Sequence, residues 1–323
     1  MKEFAEVDKQ LGVIRLHPEY SNCVKVKHLG YMREESDRHS YLMEQSGLNH
    51  KSYDRHCEGF RNLESGWKYL LAEGVSVSSL SSLGHIVQPF DDEGKRTPAG
   101  FRKSEVSFGP FFGVQSVHTP SKIDELVWLL NECSELHPIA RASEAHLGMV
   151  MIHPYVDGNG RTARLLQNFC LEQRDYPPAV IIASEKDHYL EVLNQVIQSR
   201  NKGESSWYQP DNADWEFRKF IANRVLEGAY SLRKILDEKR TYVVFLDKVT
   251  EKGQLITLTD KLKSSLSRRQ NGLGISTSVR KRGNKRTVIE VMGDVSLDQL
   301  NSFLSRESGK GEFGYAVSPV RYG

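Results

Sequence analysis

A mainly α-helical body carrying one short β-hairpin, followed by a small α/β module, is the fold class this sequence predicts. Three observations lead there. Apolar residues recur at helical spacing over long stretches, above all Ala140–Ile152 and Asp214–Glu238. The glycine-flanked alternation of Val106 and Phe108 within Gly100–Gly109 suits a short exposed ribbon. Beyond residue 241 the pattern changes to short strand-like runs with a helix after them. These changes divide the chain into an N-terminal helical region (1–95), a core (96–238) and a C-terminal module (241–323).

Within the core, Thr119-Pro120-Ser121 opens a helix and places Asp124 and Glu125 in its first turn, where the helix dipole favours acids. The segment Ala140–Ile152 is apolar almost all round and reads as a central, buried helix. Pro154 cannot donate to an interior helical turn, so this helix should stop at or near His153 and present the imidazole at its end.

The twelve residues from His153 to Arg164 (His-Pro-Tyr-Val-Asp-Gly-Asn-Gly-Arg-Thr-Ala-Arg) hold the chemistry. Gly158, Asn159 and Gly160 all tolerate left-handed backbone angles, and successive N–H groups in such a turn form an anion-binding concavity. A helix resuming at Arg161 would aim its positive end at the same place. Arg161 and Arg164 are three residues apart and reach one side, where guanidinium forks match phosphate oxygens. Asp157 would repel a bound phosphate unless a cation intervened. Mg²⁺ commonly takes one or two carboxylates plus phosphate oxygens. His153, with an ordinary pKa near neutrality, remains as the general base. This is a parts list for phosphate-ester chemistry.

The same run resembles the active-site motif of the Fic family, His-x-Phe-x-Asp/Glu-Gly-Asn-Gly-Arg-x-x-Arg. Tyr155 replaces the usual Phe, and its hydroxyl then needs a partner or an exit to water. The resemblance covers roughly residues 36–236. It implies a Fic-like helical core and transfer of AMP from ATP to a Ser, Thr or Tyr hydroxyl of a protein target. By the same resemblance His153 deprotonates the hydroxyl and Asp157 holds Mg²⁺. Gly158, Asn159 and Gly160 cradle the phosphates, with the Asn159 amide on the α-phosphate, and Arg161 and Arg164 neutralise the β- and γ-phosphates. A related branch carries Lys where this chain has Gly160 and transfers phosphate instead, so Gly160 points to nucleotidyl transfer.

The resemblance extends to the flanks. Phe101, Arg102, Val106 and Phe108 lie where the family keeps a flap that docks the target peptide by strand addition. Tyr189, in Asp187–Leu193, matches a helix lining the nucleotide pocket. Ser40 and Glu44, one helical turn apart near residues 36–48, match an N-terminal inhibitory helix whose Glu pairs with the second motif arginine, here Arg164. Gln45 departs from the family's Gly or Asn at the next position. Two alternatives stay open: the same fold using another nucleotide or removing AMP, and a nucleotide-sensing, DNA-associated regulator.

The tail from 241 contains strands at Tyr242–Leu246, Ile275–Val279 and Thr287–Met292, then a helix capped by Ser296. It carries 14 Lys/Arg against 8 Asp/Glu, concentrated at Arg280–Arg286. That charge suits either a solvated hairpin tip, the simpler reading, or a nucleic-acid contact. The family's C-terminal winged-helix modules offer one fold for it. Target selection or homo-oligomer formation are its other uses. Hydrophobic content of 38% and charged content of 27% are ordinary for a soluble protein. Cys23, Cys57, Cys133 and Cys170 lack metal or disulfide spacing, which suits a reducing compartment. The start has no apolar run behind it, and no segment is apolar enough to span a membrane, so the expected location is cytoplasmic.

Overall fold

Several helix ends in this protein fall at Pro, Gly or short polar residues, as at Ser76, Pro138 and Gly158. The computed structural model describes residues 2–17, 20, 22–44, 58–90, 95–133, 135–206, 209–238, 240–247, 256–262, 276–282, 286–293, 297–309 and 314–319. Gln45, Cys57, Ser296 and the 283–285 tip lie outside them. Two units separate: residues 1–15 with 21–230, and residues 16–20 with 231–323.

The first unit is built from helices α1 (Lys2–Arg15), α2 (Asn22–Glu44), α3 (Glu58–Glu73), α4 (Val77–Val87), α5 (Thr119–Glu132), α6 (Pro138–Ile152), α7 (Asn159–Glu172) and α8 (Lys186–Asn201), with the first part of α9 (Asn212–Glu238). Strands β1 (Ser107–Phe108) and β2 (Phe111–Phe112) pair antiparallel as the hairpin. Ser76 caps α4 through a reciprocal capping box with Ser79, a contact of about 1 kcal/mol. At α5 the expected capping fails. His118 is the cap without a side-chain bond, Thr119 is already helical and buried, and the first turn holds no acid. Asp124 and Glu125 therefore stand a turn too late to meet the free N–H groups.

Helix α6 packs along α7 and is buried on nearly every side, as its apolar sequence requires. Its buried polar residues are each partnered. The Arg141 guanidinium donates to the Leu130 and Cys133 carbonyls at 2.6 and 2.7 Å, closing the end of α5. Glu144 accepts from Arg200 at 2.8 and 2.9 Å and from Arg218 at 2.8 Å, while Arg200 also binds Asp214. This buried network joins α6, α8 and α9. Removing one member would strand a charge at a cost of about 3–5 kcal/mol.

In the second unit β3 (Arg240–Asp247), helix α10 (256–262), β4 (Ser276–Arg282), β5 (Arg286–Gly293), α11 (Leu297–Ser308) and β6 (Gly314–Pro319) follow in order. The strands form one antiparallel sheet, β4-β5-β3-β6. This is a split β-α-β arrangement of ferredoxin-like type, not a winged helix. Tyr242, Val244, Leu246, Ile289 and Val291 share one face, and Leu258, Leu262, Leu300, Phe303 and Leu304 from the two helices complete that core. Strand β6, absent from the sequence reading, decides the topology by pairing with β3. Among the described residues no helix is long and apolar enough to cross a membrane. Cys133 and Cys170 are free thiols.

Candidate active site

Helix α6 ends at Ile152, and His153 takes a left-handed conformation at φ 51°, ψ 58° before Pro154. A non-glycine residue in that region is strained and must be held there by its surroundings. Arg102 does much of this holding. Its Nε donates to the His153 carbonyl at 2.7 Å, its Nη1 to Ser104 O at 2.6 Å, and its Nη2 to the Val114 carbonyl. Expected on the docking flap, Arg102 is instead buried beneath it, with its hydrogen bonds going to backbone carbonyls and the Glu105 carboxylate 3.8 Å from Nη1.

The His153 imidazole stacks flat against Phe108, centroids 4.4 Å apart and planes within 1°. Its Nδ1 lies 3.2 Å from Val150 O, an acceptor, so in the neutral ring Nδ1 carries the proton and Nε2 the lone pair. Burial holds its pKa below the ordinary value, against the opposing pull of the Val150 carbonyl and Asp157.

Of the three residues 158–160, only Gly158 is left-handed (φ 82°) and caps α7, while Asn159 and Gly160 already form its first turn. The three-residue nest expected here is therefore one turn residue and a helix N-terminus. The Asn159 amide also serves the turn, with one of its two Nδ2 protons engaged there. Its Oδ1 accepts from Tyr155 N at 3.0 Å and its Nδ2 donates to Tyr155 O at 2.9 Å, locking the turn. The Tyr155 ring lies against Gly84, where a Cβ would come within 2.3 Å of it. Its hydroxyl donates to Leu80 O at 2.5 Å, the partner its burial demands.

Asp157 lines the cavity with its side chain about a third exposed. Oδ1 accepts from Gly158 N at 2.5 Å and lies 3.5 Å from Arg161 Nη2. Arg161 also donates to Gln88 Oε1. The Arg164 side chain is only 6% exposed. Its Nε donates to Ser40 Oγ at 2.8 Å and its Nη2 to Glu44 Oε1 at 2.7 Å. Burial pushes the Glu44 carboxyl up, but Arg164 together with Arg161 and Lys186 outweighs it, and the group stays below the ordinary carboxylate range.

A cavity of about 380 Å³, within the range of small-molecule sites, gathers most of these groups. Glu44, Phe108, His153, Asp157, Gly158, Asn159, Gly160, Arg161, Arg164 and Tyr189 line it, whereas Ser40, Phe101, Arg102 and Val106 do not. Phe101 lies 6.2 Å from the Tyr155 ring instead. Sequence reasoning missed Gln88, Lys186 and Met43. Lys186 donates to Met43 O at 2.6 Å and lines the same cavity, and Leu193, Asn194 and Ile197 on α8 continue its wall. The i, i+4 and i+8 spacing of Tyr189, Leu193 and Ile197 was the available signal for that wall.

For a metal, Asp157 is the fitting donor. Both of its contacts fall on Oδ1, and among the described residues no three His, Cys, Asp or Glu side chains converge. One carboxylate suits Mg²⁺ shared with phosphate oxygens better than an all-protein cage.

A helical core gathers a base, a carboxylate and two arginines around one cavity, with a hairpin at its edge, the arrangement the Fic resemblance implies. Residues 83–171 match the model of the Fic/DOC family. The Nematostella vectensis protein named Protein adenylyltransferase Fic is 49% identical over 69 residues, 21% of this chain and 16% of that protein. The Drosophila virilis protein of the same name is 32% identical over 178 residues, 48% of this chain and 34% of that protein. The chain thus spans about a third or less of the length of these curated relatives. The fold is shared with a Fic-domain-containing signaling protein from Bacteroides thetaiotaomicron, at a TM-score of 0.57 and 18% identity over 71% of this chain and 97% of that one.

Proposed function

We propose that this chain is a protein adenylyltransferase that moves AMP from ATP to a Ser, Thr or Tyr hydroxyl of a protein target, itself included, and that Glu44 restrains it. The observation that supports this best is the convergence of His153, Asp157, Arg161 and Arg164 on one cavity. The relatives' name, protein adenylyltransferase, supplies the reaction.

In this reading His153 Nε2 takes the proton of the attacking hydroxyl. The hydroxyl oxygen bonds to the α-phosphorus as the bond from that phosphorus to pyrophosphate breaks. Arg161 and Arg164 stabilise the charge that collects on the departing pyrophosphate. The N–H groups opening α7 face the same phosphates. Asp157 would hold Mg²⁺, which when bound screens the charge of the triphosphate oxygens. The hairpin with Phe108 and the exposed Phe112 offers the target a strand edge beside His153. Glu44 on Arg164 removes a phosphate clamp and places a negative charge where ATP must bind.

The test is incubation of Glu44→Gly, with and without His153→Ala, with each α-labelled nucleoside triphosphate, Mg²⁺ and cell lysate. Label from ATP is expected on protein, falling at least a hundredfold without His153. Undiminished label in the His153→Ala protein would defeat the mechanism. Label from another nucleotide alone would change the substrate.

A further inference from the structure

Behind Arg164 lies a chain of buried polar groups that the reaction does not use directly. The Tyr189 hydroxyl stands beside the Arg164 guanidinium, the two side chains lining one cavity, and lies 2.9 Å from His146 Nε2. His146 Nδ1 lies 2.8 Å from Gln167 Oε1. Gln167 Nε2 donates to Asn168 Oδ1 at 3.3 Å, and the same Oδ1 accepts from the backbone N–H of Ala179 at 2.9 Å. All four side chains are at least 97% buried.

The direction of every bond follows from the two ends. A backbone N–H can only donate, so the Asn168 atom facing Ala179 is oxygen. Gln167 must then face Asn168 with its NH₂ and His146 with its carbonyl. His146 therefore carries its proton on Nδ1 and offers a lone pair at Nε2. Tyr189 must donate to that lone pair, which leaves its oxygen to accept. A guanidinium can only donate, and that oxygen stands ready beside Arg164 to accept from it. Burial drives the His146 pKa to about 3, so the ring stays neutral and the polarity holds at physiological pH.

We infer that His146, acting through Tyr189, is a positioning residue that presents the Tyr189 hydroxyl oxygen as a fixed acceptor and so aims Arg164 at the terminal phosphates once Glu44 is withdrawn. The inference rests on the proposed role of Arg164. While Glu44 and Ser40 hold the guanidinium from the α2 side, the chain keeps an oriented acceptor beside it. After release it is the acceptor that remains. An arginine held at one fixed acceptor loses less freedom on binding phosphate than one free to swing.

The experiment measures ATP and AMP affinity by calorimetry in the full chain carrying Glu44→Gly. Tyr189→Phe keeps the ring in the cavity wall and removes only the acceptor. It is expected to weaken ATP about tenfold while AMP, which lacks the terminal phosphates, stays within twofold. His146→Phe should shift the ATP-to-AMP ratio the same way. If His146→Phe does not fold, Tyr189→Phe alone decides. Equal loss for ATP and AMP would mean that the hydroxyl only shapes the pocket, and it would overturn the proposal. An unchanged ratio in Tyr189→Phe would overturn it too, provided Arg164→Ala collapses that ratio. A ratio unmoved by Arg164→Ala would instead remove the phosphate role of Arg164 itself. Independently, imidazole ¹⁵N spectra should show His146, assigned by its loss in His146→Phe or by its shift in Tyr189→Phe, protonated at Nδ1. An Nε2–H form would reverse the chain and refute it.

Discussion

Replacing Glu44 by Gly should raise AMP transfer about tenfold. The estimate comes from the contact itself, 2.7 Å between Arg164 Nη2 and Glu44 Oε1, with the arginine side chain 6% exposed and the glutamate 40%. A hydrogen bond between charges is worth about 1.5–3 kcal/mol when sheltered, and an exposed ion pair about 0.2–1 kcal/mol. The exposed glutamate end brings this pair down to about 1.5 kcal/mol, roughly a factor of ten in competition with ATP for Arg164. Glu44→Gln keeps the shape and loses the charge, and should give about a third of the gain. The assay is the initial rate of protein labelling from α-labelled ATP at concentrations below KM, beside calorimetric ATP affinity. A change under twofold in both, from a protein whose melting temperature is unaltered, would refute the reasoning. Because the Glu44 carboxyl is held below its ordinary pKa, mild acid should not imitate the substitution.

Phe108→Ala should uncover the His153 ring and move its pKa up toward the ordinary value, because burial is the main cause of its depression. In the Glu44→Gly protein the acidic limb of the transfer rate against pH should then shift to higher pH; an unmoved limb would show that the stack does not shelter the base. His28→Leu should reduce acid sensitivity of the fold. His28 is 3% exposed, neither ring nitrogen has a partner, and burial lowers its pKa to about 4. The folded state then binds fewer protons than the unfolded one between about pH 4 and 6.5, so this group's stability is intact above 6.5 and lost as pH falls toward 4. The loss at pH 5 is about 2 kcal/mol, and urea unfolding at pH 7 and pH 5 should show a decline smaller by that amount in the variant. Equal declines would refute it.

The site was legible where its chemistry is local. His153, Asp157, Arg161 and Arg164 sit on one helix end, one turn and one following helix, so spacing alone brings them together. The same locality misled at Asn159 and Gly160, whose permissive backbones suggested a nest although the helix starts at Asn159. Asn159 spends its amide on Tyr155, four residues away, which composition cannot reveal. Arg102 looked like a surface residue beside a ribbon, and only the fold brings the end of α6 to it. Gln88 and Lys186 were illegible for the same reason, since each meets the motif from a separate element. In the second unit β3 was legible from its apolar run, whereas the topology rests on β6, whose Gly-Tyr-Ala-Val-Ser-Pro sequence has weak strand character by itself.

The contacts of α2 are graded along its length, and this bears on how the proposed restraint could be lifted. Arg33 meets Glu172 at 3.1 Å, Ser36 accepts from Asn168 at 2.7 Å, and Ser40 accepts from Arg164 at 2.8 Å. These lie on successive turns and grip α7 without entering the cavity. Only the last turn reaches into it, through Glu44 on Arg164 and through Lys186 on the Met43 carbonyl. On the other side, α8 is fixed at one end by Tyr189 on His146 and at the other by Arg200 on Glu144 and Asp214. The cavity wall is therefore braced, and the grip on α2 is divided among contacts of about 1 kcal/mol each. Unwinding residues 41–44 breaks two of those contacts and takes Glu44 off Arg164, whose Nε stays on Ser40. Undocking the whole helix breaks all of them and exposes Val24, Met32 and Leu42. The cheaper route leaves α2 in place, so whatever relieves the restraint has only to compete for the final turn.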